Sequence, residues 1–164
     1  MPLTAAVLAD IEIAATKGNP DPEGRVSSRV SYAYQLILGR KFTEGFSLQL
    51  MPTLVHRNLV QANEKNDVYA IGVGARQKIT KRFAITAEAY YTPSSLLPNG
   101  KYTSLSLGFD LETGGHVFQL HFTNSTSMAH KGFIAETTGN WLDGGIHFGF
   151  NVSRVFTVFK PKIK

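Results

Sequence analysis

The chain contains no cysteine, little charge and no long apolar run. Without cysteine it can form no disulfide, thiolate nucleophile or thiolate metal site. Charged residues make up only 18% of its 164 residues, whereas a typical soluble domain has about 25%. No stretch approaches the roughly 20 consecutive apolar residues of a transmembrane helix. The sequence therefore excludes a helical membrane protein and leaves the surface of a soluble protein short of charge.

The charge that is present is basic, with 17 Lys and Arg against 12 Asp and Glu. These basic residues are dispersed, or they lie in predicted turns and in the C-terminal tail. They form no basic helix and no recognised nucleic-acid motif. We therefore do not expect nucleic acid as a partner.

The first ten residues lack the features of a signal peptide, which has a positive leader, an apolar core and a small-residue cleavage site. They already show the alternation of a strand. We expect Met1 not to be the natural start, and this sequence to be an N-terminally truncated part of a longer protein.

Apolar and polar side chains alternate with period two along most of the chain, which is the pattern of a strand with two different faces. In one clear case Tyr34 and Leu36 fall on one face, while Ser31 and Gln35 fall on the other. Eight such segments are predicted, at residues 3–15, 26–38, 46–50, 69–78, 83–91, 104–112, 118–123 and 146–153. The first segment is rich in alanine, so an amphipathic helix remains an open alternative there.

The connections between these segments are alternately long and short. They lie at residues 17–24, 39–45, 57–67, 80–82, 92–100, 113–115 and 124–144. Membrane barrels have tight periplasmic turns and longer outer loops. The sequence thus predicts an all-β protein, an antiparallel up-and-down meander of about eight strands that forms an outer-membrane-type β-barrel or part of a larger one. We expect residues 1–164 to be a single domain with both termini in the periplasm.

The polar faces of the segments consist mainly of Ser, Thr, Gly, Gln and Ala with isolated charges. This composition suits a crowded polar lumen better than a solvated exterior, so the apolar faces are predicted to meet lipid. The alternative is a soluble, lipocalin-like barrel that binds a small apolar ligand in an apolar interior. The polar residues predicted to face the lumen are Arg29, Gln35, Gln49, Arg76, Glu88, Asp110, His121 and His147.

Aromatic residues gather near the ends of the predicted strands, as in the two interfacial girdles of membrane barrels. Beside the short turns lie Phe42, Phe46, Phe83, Phe156 and Phe159. Towards the long loops lie Tyr69, Tyr90, Tyr91, Tyr102, Phe122 and Trp141. The alternative is that these rings are ordinary strand formers and core fillers.

Several stretches resemble an uncharacterised β-barrel family of Bacteroidota envelope proteins, DUF5777. They are LGRKF at residues 38–42, FSLQLMPT at 46–53, VHRNLV at 55–60, FQLHFTNS at 118–125, KGFIAETTG at 131–139 and IHFGFNVSRVF at 146–156. The resemblance implies an outer-membrane-type, porin-like barrel. It brings no catalytic residue with it.

The titratable residues of the predicted lumen allow more than one interpretation. His121 and His147 on neighbouring strands are better explained as a hydrogen-bonded pair than as a metal site, because two ligands do not make a site. The inward charges form a salt-bridged plug if eight strands complete the barrel, or an ion-selective lining if further strands widen it. We predict no catalytic residue, no cofactor and no metal.

The segment between the last two predicted strands is too long for an ordinary hairpin loop. Met128, Phe133 and Trp141 argue against disorder, so this segment is predicted to pack over or into the barrel mouth. Its Ser125, Ser127, His130 and Asp143 offer the groups of a catalytic triad but lack a nucleophile elbow or an oxyanion hole. We expect a non-enzymatic protein, channel-like or structural, whose partners are outer-membrane lipid, the barrel-assembly machinery and a small solute or a protein.

Overall fold

The computed structural model describes residues 2–15 and 25–154. Eight antiparallel strands follow one another in a single sheet whose spatial order is the order of the sequence. They are β1 (Leu3–Ile13), β2 (Val30–Lys41), β3 (Phe46–Arg57), β4 (Asp67–Lys78), β5 (Phe83–Tyr91), β6 (Leu105–Thr113), β7 (His116–Thr123) and β8 (His147–Arg154). The predicted all-β, up-and-down meander is confirmed. The predicted connection at residues 17–24 lies outside the described residues.

Two of the short turns share one design. In the turn between β2 and β3 the Thr43 hydroxyl accepts a hydrogen bond from the Phe46 N–H at 3.0 Å, and between β4 and β5 the Thr80 hydroxyl accepts one from the Phe83 N–H at 3.0 Å. A threonine hydroxyl thus satisfies a backbone donor that the tight turn leaves unpaired. The third turn instead uses Gly114 and Gly115 at φ 53° and 139°, a region that glycine adopts without steric cost.

Several strand boundaries differ from the sequence prediction, and those of the first three strands are instructive. β1 is a strand and not the alternative helix, and it ends at Ile13. Val26–Arg29 forms a short 3-10 helix, so β2 begins only at Val30. β3 continues past Pro52 to Arg57, although proline cannot donate to a strand ladder. The pairing of β2 with β3 is interrupted beside Pro52, between the Gln35–Thr53 and Leu38–Leu50 pairs.

The sheet curls into a half-barrel, with one convex and one concave face. Within the described residues each strand pairs only with its neighbours in sequence, so β1 and β8 leave two open edges. The long apolar side chains lie on the convex face and are exposed, as Val7 at 81% and Phe150 at 70% illustrate. The opposite, concave face carries the polar half of each alternation, and it is partly filled.

The core lies on the concave side, at the long-loop ends of β2 to β5. It consists of Ala33, Met51, Val55, Val68, Ala70, Tyr90, Ile134 and Ala135. The last two belong to α1 (His130–Ala135), a six-residue helix in the connection between β7 and β8. This helix packs on β2 and β3, so the connection folds into the half-barrel and covers its apolar patch.

Candidate functional site: the concave face and its inserted loop

The packed part of the concave face is organised around Tyr90 on β5. The Gln35 amide donates to the Tyr90 hydroxyl at 3.0 Å and to the Thr53 hydroxyl at 2.9 Å. The ring of Tyr90 lies directly over Gly72, where an added Cβ would approach ring atoms to between 2.5 and 2.9 Å. Phe133 of α1 packs on the other side of Tyr90, with 5.2 Å between ring centroids. Tyr90 therefore joins the sheet to the inserted loop.

The inserted loop, residues 124–146, is fixed to the start of β6 by two further residues. The buried side chain of Asn124 accepts from the Leu105 N–H at 2.8 Å and donates to the Thr103 and Gly139 carbonyls at 2.9 and 3.0 Å. The Trp141 indole N–H donates to the Leu105 carbonyl at 3.1 Å. Phe133 and Trp141 are thus in contact with the half-barrel, whereas Met128 is 97% exposed.

The remainder of the concave face is open and borders cavities that share a polar wall on β5 to β7. Two cavities of about 950 and 750 Å³ share one wall. That wall is formed by Thr86, Glu88, Ser106, Asp110, Gln119 and His121. The other lining residues are mixed, with polar side chains such as Ser104 and Asn151 beside apolar ones such as Leu120. A ligand against the shared wall would meet hydrogen-bonding groups.

An ion network crosses the short-turn end of this cavity. Arg76 on β4 reaches over the small side chains of β5 to Asp110 at 2.8 Å and to Glu112 at 3.3 Å. The Gln119 amide donates to Asp110 at 3.2 Å, and the Asn151 amide donates to Gln119 at 3.3 Å. The network spans the concave face from β4 to β8 and supplies Asp110, which is buried, with partners.

Glu88 has a different environment from the carboxylates of that network. It lies between Gly74 and Ser106 in the register of the sheet and borders both cavities. Within the described part of the chain, no ion pair or hydrogen bond reaches its carboxylate. Gln49 lies over Gly74 and bonds to the Met51 sulfur at 3.1 Å.

The two histidines of the predicted pair, His121 and His147, line the same cavity. Among the described residues, no hydrogen bond joins them. His121 lies over Gly149, where a Cβ would collide with the imidazole ring, and His147 pairs with Thr123 in the register. Neither imidazole forms a hydrogen bond within the described residues. No group of three or more His, Cys, Asp or Glu in that part of the chain is arranged to hold a metal ion.

The groups of a catalytic triad in the inserted loop are not brought together. His130 pairs with Asp10 of β1 at 3.2 Å, while the Asp143 carboxylate accepts from the Asn140 amide at 2.7 Å. The Ser127 hydroxyl lies against the backbone of Ala129, from whose N–H it accepts at 3.3 Å. Each of these side chains is used in holding the loop.

Unpaired polar atoms are concentrated at one place on the concave face. Of the five buried side-chain atoms without a hydrogen-bond partner among the described residues, four belong to Glu12, Arg29, Ser31 and Arg57. Glu12, Ser31 and Arg57 are direct neighbours across β1, β2 and β3. Arg29, predicted to lie on a strand, instead ends the 3-10 helix just before β2.

The family described as "Membrane bound beta barrel domain (DUF5777)" matches residues 1–156. The chain belongs to the DUF5777 family. No curated protein and no solved structure matches it. No helix in the described part of this DUF5777 domain is long and apolar enough to cross a membrane. The domain is membrane-bound, and its family description agrees with the strand meander.

One aspect of the aromatic prediction changes in the DUF5777 structure. Tyr69 and Tyr91 are more than half exposed on the convex face, as a girdle requires. Tyr90 points to the concave face and is 4% exposed, because neighbouring residues on a strand point to opposite sides. Tyr90 is thus a core residue and not a girdle residue. Phe156 and Phe159 lie outside the described residues.

The sequence interpretation missed the apolar patch on which the loop docks. Met51, Val55 and Val68 are buried on the concave face, at positions that the predicted strands did not include. The signal was present, since residues 51–55 are largely apolar at both parities, which is typical of a strand buried on both faces. Pro52 hid this signal because proline normally ends a central strand.

Proposed function

We propose that this DUF5777 domain is a non-catalytic wall segment of a solute-conducting β-barrel in the bacterial outer membrane, and that the inserted loop narrows its lumen. The observation that carries the proposal is the distribution of apolar and polar side chains between the two faces of the sheet. Apolar side chains are exposed on the convex face, whereas two cavities with a shared polar wall lie on the concave face beside the docked loop. This is the distribution expected when lipid surrounds a barrel and water fills it.

The open edges support a barrel of more than eight strands. A strand edge cannot face hydrocarbon, because each unpaired backbone group there costs several kcal/mol. The edges of β1 and β8 therefore need further strands in the membrane, and additional strands widen the lumen. In a wider barrel the concave cavity becomes part of a passage, with Glu88 and the Arg76 network on its wall.

The direction of the chain supports the proposed orientation. The short turns, the first residue of β1 and the last residue of β8 all lie at the same end of the sheet. Short turns face the periplasm in outer-membrane barrels. In this orientation the inserted loop enters from the outside, and the barrel-assembly machinery and membrane lipid are the expected partners.

The soluble, lipocalin-like alternative requires an apolar interior. The convex face instead carries an apolar groove of about 530 Å³ beside Pro52, lined by residues such as Tyr34, Leu54 and Tyr69. Such a surface would be poorly hydrated in water but suits contact with lipid acyl chains. The distribution of side chains thus favours the membrane interpretation.

The proposal is tested by reconstituting the full-length protein in planar bilayers. We expect stepwise conductance, and we expect deletion of residues 128–141 to increase the step size because the loop occupies the lumen. The matched control is Met128→Ala, which alters an exposed side chain of the same loop and should leave the step unchanged. A correctly inserted protein that shows no conductance, with or without the loop, would overturn the proposal.

A further inference from the structure

The unpaired polar atoms at the long-loop ends of β1 to β3 indicate a bound molecule or ion. Buried polar atoms in native proteins nearly always have a partner, and a group without one points to bound water, an ion or a ligand. Here the Glu12 carboxylate, the Ser31 hydroxyl and the Arg57 Nε occupy one row across three neighbouring strands. The Nε of Arg29, two residues before Ser31, is also unpaired. Four such atoms on one small area are unlike the rest of the described concave face.

The two innermost members of the row are deeply buried. Arg57 is 4% exposed and Ser31 is 3% exposed. Two nitrogens of the Arg57 guanidinium are already used, since Nη1 donates to Glu64 at 3.1 Å and Nη2 to the Lys65 carbonyl at 2.8 Å. These bonds fix the guanidinium plane, and the third nitrogen, Nε, remains as a donor without an acceptor.

Glu12 and Arg29 border the row and are only partly buried as residues, although their unpaired Oε2 and Nε atoms are buried. Within the described residues neither side chain forms an ion pair, and they do not pair with each other. The other charged groups nearby are occupied. Asp10 pairs with His130 at 3.2 Å, and Lys131 pairs with Glu136 at 3.3 Å. A positive and a negative side chain thus border the row, each without a direct partner among the described residues.

The chemistry of these four groups restricts the occupant. The two Nε–H groups need an acceptor, the Glu12 carboxylate needs a donor, and the Ser31 hydroxyl can serve either role. A simple anion would satisfy the arginines but would be repelled by Glu12, and a simple cation would have the opposite defect. A molecule with a carboxylate at one end and an ammonium at the other would satisfy all four.

We propose that Glu12, Arg29, Ser31 and Arg57 form a binding site for a small zwitterion of the α-amino acid type. The carboxylate of the ligand accepts from the two Nε–H groups and from Ser31, while its ammonium group donates to Glu12. The site lies on the concave face at the long-loop ends of β1 to β3, beside the inserted loop. It does not depend on whether the barrel conducts.

The test is calorimetric titration of the full-length protein in detergent micelles with glycine, acetate and methylamine. Glycine should bind at least about tenfold more tightly than either single-charge probe, because it forms charge-assisted bonds at both ends. Glu12→Gln should weaken glycine binding by about tenfold or more and should not weaken acetate binding. Arg29→Gln should weaken both. Glu44→Gln, in an exposed turn at the opposite end of the sheet, is the matched control.

Three results would overturn the inference. Acetate that binds as tightly as glycine, with no effect of Glu12→Gln on glycine, would show an anion site. Methylamine that binds as tightly as glycine would show a cation site. If no probe binds, the row is a hydration site only. The comparison of the three probes on the unmodified protein does not depend on the folding of any variant. A conducting protein that binds no glycine leaves the proposed channel intact, and a non-conducting protein that binds glycine leaves this site intact.

Discussion

The two halves of the concave face are built from the same kind of strand but have opposite contents. Under β2 to β5, side chains such as Met51, Val55 and Val68 face inward and are covered by Ile134 of α1. Under β5 to β8, the inward side chains are Ser106, Asp110, Gln119 and their neighbours, and a cavity remains. The inner surface of this half-barrel is therefore not uniformly polar. It is apolar where the chain itself fills the barrel, and polar where the space is left to water.

The largest effect is expected from Ile134→Ala. Ile134 is fully buried between α1 and the sheet, and truncation of such a side chain costs about 3 kcal/mol. The loss should release α1 from the packed half, which is the concave face under β2 to β5. That half should then be uncovered, as the open half under β5 to β8 already is. Urea unfolding in lipid vesicles measures the change in free energy, and hydrogen exchange at residues 130–136 reports the release. Met128→Ala should change neither measurement. Unchanged exchange in Ile134→Ala would show that α1 is not held by its apolar contacts.

A smaller effect, of about 2 kcal/mol, is expected from Asn124→Ala. This substitution leaves the Leu105 N–H and two carbonyls without their partners in a buried site. Because Asn124 holds the loop to the open half, protease cleavage in residues 124–146 should become faster while α1 stays docked. Thr138→Ala, at an exposed position of the same loop, is the control. Equal cleavage rates in both variants would show that Asn124 does not anchor the loop.

The smallest effect, of about 1 kcal/mol, is expected from Arg76→Met. The Arg76 side chain is 33% exposed, so solvent screens its ion pairs, and Asp110 keeps its bond from Gln119. The open half should therefore tolerate this loss far better than the packed half tolerates Ile134→Ala. Lys78→Met removes an exposed lysine two residues further along the same strand and should have no effect on the free energy of unfolding. A loss for Arg76→Met as large as that for Ile134→Ala would remove the distinction between the halves.

Much of the fold could be predicted from the sequence because alternation is a local property. Tyr34, Gln35 and Leu36 show by their order alone that one face is apolar and the other polar. The strand prediction failed where both faces of a strand are apolar, as at residues 51–55. Apolar and polar residues do not alternate there, so the sequence carries no alternating strand signal. Helix α1 was also missed, because six residues inside a long connection give too short a pattern to recognise.

The proposed binding site at Glu12, Arg29, Ser31 and Arg57 was less predictable from the sequence than the fold. Arg29 was expected on a strand face, and Glu12 was not singled out, yet both border the row of unpaired atoms. Residues 12, 31 and 57 are far apart in sequence and become neighbours only through the register of β1, β2 and β3. Similarly, His130 finds Asp10 and not Asp143, although Asp143 is much closer along the chain.

The sequence by itself determined which side chains of each strand share a face, and hence that a polar concave surface lies behind an apolar convex one. Only the tertiary structure decided which part of the concave surface is filled and which stays open. The physical reason is that alternation acts between neighbouring residues, whereas filling depends on contacts between distant ones. Ile134 packs with Val55 and Val68, which are distant in sequence, and this contact decides which half of the concave face is filled.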